Sequence, residues 1–317
     1  MKRSFKLSYI VLIIIIAISS CLKDDHSENL ETEMRLLKQF IIDKNYNVAP
    51  TASGLYYIEQ VAGTGVQPAM GDFLLLNYTG RLLEGEAIFG TTDYAIAEEF
   101  DIVNTMLLYG PAKLQSGIIS PYGVLEGLMK MKEGGKSRLV FPSTLGYGRN
   151  PISTIPAYSS LIYDIELVKV IPDPVAYENE MIQKYLTDNQ LSQVPDLEGV
   201  YFFETVAGTG ENPLNVNSVD VIYTTYLTDG RTIATTGTTA KRFLLDDYLQ
   251  SYAHPSYTVR GLRDAIKMMK KGGKATVIVP YNLAFGTTSV DATGLGYKYP
   301  VPAYSTLIFD IELVNIY

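Results

Sequence analysis

The chain has no tryptophan, one cysteine and two histidines among its 317 residues, and each shortage excludes something. With Cys21 alone, folding cannot depend on a disulfide framework. His26 and His254 lie far apart and have no cysteine neighbours, so no metal-ligand spacing is present. The longest apolar run, Tyr9–Ile18, is ten residues, whereas a bilayer-spanning helix needs about 20. "AGTG" at 62–65 and 207–210 lacks the GxGxxG or GxxxxGK[ST] spacing that cradles phosphates, and reads as a turn. Positive charge is also short, with 26 Lys and Arg against 34 Asp and Glu. A net charge of −8 is a poor match for nucleic acid or an anionic bilayer surface. No metal and no cofactor is expected.

Against these gaps stand 24 tyrosines, with 47% hydrophobic and 19% charged residues. That composition is globular, and polar-tipped aromatics suit solvated β structure. Residues 1–20 are not expected to belong to the fold. Lys2, Arg3 and Lys6 form a basic n-region, and the apolar run that follows suits a signal-peptide h-region. The run leads into "AISSC", which resembles a bacterial lipobox; that resemblance implies acylation of Cys21 after removal of a signal peptide over 1–20. Losing those residues takes away three positive charges and no negative ones, so the net charge moves from −8 to −11. Attachment to a membrane would then come from the lipid. "KDD" at Lys23–Asp25 resembles the surface-export signal of Bacteroidetes lipoproteins, which leaves the cell surface and the periplasmic face of the outer membrane both open.

Internal repetition sets the architecture. "GLYYIEQVAGTG" (54–65) returns as "GVYFFETVAGTG" (199–210), and "NYTGRLLEG" (77–85) as "IYTTYLTDG" (222–230), both at an offset of 145. "MKMKEGGKSRLVFPSTLGYG" ending at Gly148 returns at an offset of 138, and "IPAYSSLIYDIELVKV" (155–170) at 146. The implied divisions are a tether and helix over 21–49, a first domain over 50–172, a linker helix over 173–196 and a second domain over 197–317. Helical spacing marks both leading segments, through Met34, Leu37, Phe40 and Ile41, and through Tyr177, Met181 and Tyr185. Asp173-Pro174 suits a helix start, and both helices read as spacers or docking arms. Each domain is otherwise mostly strand, with one short helix in "GVLEGLMKMKEGG" that Gly134-Gly135 would end. The fold class is α+β: a curved antiparallel sheet wrapped over one short helix, twice.

"NYTGRLLEG", "GVLEGLMKMKEGGKSRLVFPSTLGYG" and "IPAYSSLIYDIELVKV", in this order and twice over, resemble the FK506-binding-protein family of peptidyl-prolyl cis–trans isomerases. The resemblance spans 50–171 and 197–317 and implies an apolar pocket between sheet and helix that acts on proline-containing segments. Carried over by position, it makes Tyr78, Tyr147 and Tyr163 the catalytic candidates, with the Tyr147 hydroxyl donating to the ligand carbonyl. Ile88, Phe89, Val124 and Ile155 are the substrate-binding candidates.

Departures from the family qualify this. Its Phe-Asp pair falls on Ile88-Phe89 by a gapless count or on Phe89-Gly90 after a one-residue shift, and neither contains the aspartate. The aromatic floor becomes Val124, and Pro121 falls where a backbone N–H is expected, unless an insertion around Ile118-Ile119 supplies one. In the second domain Tyr223 persists and Val259 has the N–H. Ile233-Ala234, Leu262 and Phe285 replace the pair, the floor and the donor tyrosine, while Phe309 matches the usual wall. The first domain is therefore expected to be the active copy and the second a degenerate one. The competing readings are a non-catalytic peptide-binding or chaperone lipoprotein and a surface adhesin. Asp164/Glu166 and Asp310/Glu312 share strand faces and read as structural.

Overall fold

Two antiparallel sheets of six strands each, alike in topology, carry the chain. The computed structural model describes residues 25–92, 112–113, 121–192, 195, 199–215, 217–246, 257–298 and 301–317. Cys21 with the apolar run before it, Ile118-Ile119 and His254 lie outside these residues. The first sheet comprises β1 (Tyr56–Val61), β2 (Phe73–Leu82), β3 (Ile88–Thr91), β4 (Ala112–Lys113), β5 (Lys136–Phe141) and β6 (Leu161–Ile171). Its order is β1-β5-β6-β2-β3, with β4 also on β2. The second comprises β7 (Tyr201–Val206), β8 (Ser218–Leu227), β9 (Thr232–Thr235), β10 (Lys241–Leu244), β11 (Lys274–Val279) and β12 (Leu307–Ile316). It runs β7-β11-β12-β8-β10, with β9 on β8. By contact density the chain forms two compact units, the second taking in everything from Val168 together with Ala69–Leu76.

Strand periodicity decides which side chains meet the short helix. In β8 burial alternates at every residue, as a pleated strand with one inward face requires. Along β5 and β6, Leu139, Phe141, Leu161 and Tyr163 are buried on one face, and Val140 pairs with Ile162 on the other. The inner helix of the first domain is α2 (Tyr122–Leu128), with Val124 and Leu128 buried. It ends earlier than expected: Met129 is its C-cap, and Gly134, at φ +83°, instead shapes the turn into β5. Met131 is buried all the same. The corresponding helix α4 is Arg260–Met268.

The leading helices α1 (Asp25–Asp43) and α3 (Pro174–Asp188) are docking arms rather than spacers. Leu37 and Ile41 of α1 pack on Tyr56, Val140 and Ile162, the outer face of the first sheet. Ile182 and Leu186 of α3 pack on Ile278 and Ile308 in the second. Both helices also bury a glutamate, and the two lie 145 residues apart, the offset of the repeat itself. Glu33 accepts from the Ser143 amide, the Ser143 hydroxyl (2.6 Å) and the Ser160 hydroxyl (2.7 Å). Glu178 accepts from the Thr306 amide at 2.9 Å, and burial pushes its carboxyl up from the ordinary value. A carboxylate taken out of water persists only when hydrogen-bonded, so each helix is locked onto its sheet. Asp173 caps α3, accepting from the amides of Val175 and Ala176, and Pro174 fills the first turn as expected. No helix of the described residues is long and apolar enough to cross a membrane.

Candidate functional site

In the first domain the inner sheet face carries a cluster of rings. Tyr163, near the start of β6, is its hub: it stacks on Phe141 at 5.8 Å and on Tyr78 at 5.9 Å, and meets Phe89 edge-on at 5.6 Å. Such contacts contribute about 0.5–1.5 kcal/mol each beyond area burial. Tyr78 is fixed through its backbone, since its amide donates to Thr92 Oγ1 at 2.8 Å and its carbonyl accepts from the Thr92 amide at 2.9 Å. Val124 from α2 and Ile155 are buried nearby in the same domain, at 5% and 6% exposure. Tyr78, Phe89 and Tyr147 remain half-exposed.

Register places Phe89. Thr79 pairs with Thr91 and Gly80 with Gly90, but Arg81 pairs with Ile88, so Phe89 is the extra residue of a β-bulge. The second sheet repeats this: Thr225 pairs with Ala234 and Tyr226 with Thr232, leaving Ile233 as the bulged residue. Phe89-Gly90 therefore corresponds to Ile233-Ala234, and the shifted count is the structural one. Ile88, half-exposed, pairs with Arg81 rather than joining the rings. A Cβ on Gly80 would lie 2.6 Å from the Phe89 ring and 3.2 Å from Tyr163, so the cluster needs a glycine there. A Cβ on Gly90 would lie 3.6 Å from the Tyr78 hydroxyl, which marks where the missing aspartate would reach.

The Tyr147 hydroxyl is hydrogen-bonded to that of Tyr163. Burial first, then the neighbouring Tyr147 and Tyr78 hydroxyls, push Tyr163 well above the ordinary tyrosine range, so it stays a neutral proton donor. Tyr147 follows the 3-10 turn Ser143–Leu145 and Gly146, whose backbone (φ −105°, ψ −121°) matches Ala284 before Phe285 (φ −102°, ψ −118°). The two residues thus hold equivalent positions, with the hydroxyl on one only. Pro121 and Val259 are likewise both N-cap residues of the inner helices, so the first domain has no amide donor at that point.

The second pocket is full. Tyr223 (5% exposed), Ile233 (3%), Phe285 (5%) and Leu262 (0%) are all buried. Tyr223 lies 6.3 Å from Phe309 and 5.7 Å from Phe243, and burial pushes its hydroxyl up to about 12. Tyr297, itself 7% exposed, meets Phe285 edge-on at 5.5 Å. The space left between Tyr223, Phe243, Phe285, Tyr297 and Phe309 is ≈ 10 Å³, room for at most one water.

Several residues escaped the sequence reading: Phe141, Gly80 and Tyr297 in the pockets, and the two buried glutamates that hold the leading helices. The glutamates and Tyr297 did leave a trace in the repeat offsets. The acidic pairs are in ion pairs or hydrogen bonds. Burial pushes the Asp164 carboxyl up, but Arg138 and Arg81 outweigh it and hold it below the ordinary range. Glu166 meets Lys136 at 3.2 Å, Glu312 meets Lys274 at 2.9 Å, and Asp310 accepts from Thr276 at 2.6 Å. A polar cleft of ≈ 420 Å³ beside Tyr78, lined by Asn77, Lys136, Asp164 and Glu166, has no second aromatic wall. His26 faces the Tyr158 hydroxyl at 2.7 Å.

Comparison with known proteins agrees with this geometry. The profile of the family described as FKBP-type peptidyl-prolyl cis-trans isomerase matches residues 65–168 and 210–314. FkpA of Escherichia coli K12, an FKBP-type peptidyl-prolyl cis-trans isomerase, is 35% identical over 133 residues, 42% of this chain and 44% of its own. Peptidyl-prolyl cis-trans isomerase FKBP9 of Bos taurus is 27% identical over 246 residues, 78% of this chain and 35% of its own. The chain thus spans less than half the length of these relatives. Among solved structures, the three FKBP domains of wheat FKBP73 align at 21% identity and TM-score 0.33, over 84% of this chain and 96% of theirs. With one profile matching two regions that share a strand order, the chain belongs to the FKBP-type peptidyl-prolyl cis-trans isomerase family.

Proposed function

We propose that the protein is a peptidyl-prolyl cis–trans isomerase assisting exported or envelope proteins, and that its first domain is the working copy. The observation that carries this is the half-exposed ring cluster around Tyr163 with the paired Tyr147 and Tyr163 hydroxyls. An amide rotates over a barrier of about 18–20 kcal/mol. Its planar form is the more polar, so water favours the ground state. Seating the proline against Tyr78, Phe89 and Tyr163 strips that water, and a hydroxyl suited to the twisted carbonyl lowers the barrier further. Tyr147 supplies that donor through its own O–H, while its oxygen accepts from the Tyr163 hydroxyl. No nucleophile, metal or cofactor is required. The test is NMR exchange of a short Xaa-Pro peptide with the full chain: catalysed exchange is expected, weakened in Tyr147→Phe.

A second reading has its own support. Pro121 has no amide to offer, and Gly90 stands where the family has an aspartate. A pocket that holds proline peptides without turning them over would show binding in the same NMR experiment but no catalysed exchange.

For location, the sequence "AISSC" supports a lipid anchor on Cys21, and "KDD" at Lys23–Asp25 supports display at the surface. Cys21→Ser should release the protein from membrane fractions, and retention would refute the anchor. Protease added to intact cells should degrade the displayed protein and spare a variant with alanine at those three positions.

A further inference from the structure

The second domain's pocket is filled by a segment that the first domain does not have. Gly148 and Ile155 are seven positions apart, whereas their counterparts Gly286 and Val301 are fifteen apart, so the second connection is eight residues longer. Its ends are closed alike, by the Ile152–Ile155 bridge in one domain and the Val290–Val301 bridge in the other. The added residues run inward rather than out into water. Leu295 is 5% and Ala292 1% exposed, and Tyr297 lies against Phe285.

The contacts holding this segment resemble those a bound peptide would make. Tyr297 forms an antiparallel bridge with Ala234, and the Lys298 amide donates to the Ile233 carbonyl at 2.7 Å, so the segment pairs with the bulge of β9. Lys241 donates from Nζ to the Leu295 carbonyl, with its ammonium 5.5 Å from the centre of the Phe243 ring. Lys241 is half-buried, and that burial lowers its pKa, so this carbonyl is an important part of its solvation. The fit is not complete: Thr225 is fully buried and its Oγ1 makes no hydrogen bond of good geometry, even with the Tyr297 hydroxyl close by. Such a group is better satisfied once the pocket admits water or another ligand.

We infer that the second pocket is a peptide-binding site of its own, whose resident ligand is Leu295–Gly296–Tyr297, and that it accepts in trans a segment of the same chemistry and the same turned shape, with Leu295 ending a 3-10 turn and Gly296 at φ +91°. That chemistry is a leucine and a tyrosine two positions apart, with a carbonyl between them for Lys241 and a free amide after the tyrosine for the Ile233 carbonyl. This inference does not depend on the first pocket being an isomerase. A tethered ligand competes at an effective concentration of about millimolar, so the intact protein should bind such a peptide weakly until the tether is weakened.

The test uses the full chain and the hexapeptide Thr-Gly-Leu-Gly-Tyr-Lys bearing an N-terminal benzophenone. Photo-cross-links are mapped by mass spectrometry, and a peptide with alanine for leucine and tyrosine serves as control. The double variant Leu295→Ala, Tyr297→Ala should gain at least about tenfold in cross-links at the second pocket, selectively for the hexapeptide. A folded double variant with no gain, or with equal labelling by the control, would overturn the inference. Should that variant fail to fold, hydrogen exchange on the wild type decides. Millimolar hexapeptide should speed exchange of the Lys298 amide, and unchanged exchange would overturn the inference.

Discussion

The two domains agree in strand order, in the bulge opposite Gly80–Arg81 and Thr225–Tyr226, and in the threonine that accepts from the amide of the pocket tyrosine, yet their pockets differ. Tyr223 donates from its amide to Thr236 Oγ1 at 3.0 Å just as Tyr78 does to Thr92. Around this shared frame the first domain has Gly80, Phe89, Tyr147 and Tyr163, and the second has Thr225, Ile233, Phe285 and Phe309. The changes are coupled. Gly80 makes room for the Phe89 ring, whereas Thr225 sits opposite a bulge that holds only Ile233. Tyr147 and Tyr163 present two hydroxyls that bond to each other, whereas Phe285 and Phe309 present none, and Tyr297 takes up the remaining space. Conserving the frame does not conserve the chemistry, because that depends on a few side chains whose removal leaves the sheet intact.

Three variants sharpen this contrast, beginning with the largest effect. Glu33→Ala leaves the Ser143 amide and two hydroxyls without their acceptor. It should destabilise the first domain by about 2–3 kcal/mol, read as a lowered unfolding midpoint in urea. Tyr147→Phe removes one hydroxyl; a net hydrogen bond of about 1 kcal/mol corresponds to roughly fivefold, and kcat/KM for Xaa-Pro exchange should fall by about that factor.

Glu178→Gln should have the smallest effect, and the opposite sign. Burial raises the folded-state pKa of Glu178 above its unfolded value. Its contribution to stability is therefore greatest below the ordinary carboxylate range and is lost as pH rises through the raised value. Glutamine mimics the neutral acid and still accepts from the Thr306 amide. The second domain of the variant should melt slightly higher at pH 7 and lose the part of its pH dependence that Glu178 supplies, as calorimetry across pH 4–8 would show.

Much of the fold was legible because repetition and period are written in the chain: the two sheets, the inner helices and the capped start of α3 all follow from them. Of the candidate site, the family resemblance pointed to Tyr78, Tyr147 and Tyr163, which the structure brings together. What needed three dimensions was contact between residues distant in sequence. Phe141 reads as an ordinary strand residue until it stacks under Tyr163, and Gly80 as one letter of "NYTGRLLEG" until the Phe89 ring crosses it. Choosing between Ile88-Phe89 and Phe89-Gly90 required the bulge, since a one-residue slip is invisible to counting. The leading helices could be read only as spacers or docking arms because their apolar stripes do not name a partner, although Glu33 and Glu178 share the repeat's own offset. The jump in offset from 138 to 146 marked an insertion in the second domain, but nothing in the sequence said that it turns inward.

The most direct test of the account puts the second domain's residue into the first. Gly80→Thr in the full chain forces the Phe89 ring away from Tyr163 while leaving Tyr147 and the whole second domain untouched. The account predicts that catalysed exchange of a short Xaa-Pro peptide falls at least about tenfold, some 1.4 kcal/mol, with cooperative unfolding of both domains retained. Exchange at the wild-type rate in a folded Gly80→Thr protein would contradict it, and would place the activity outside the first pocket.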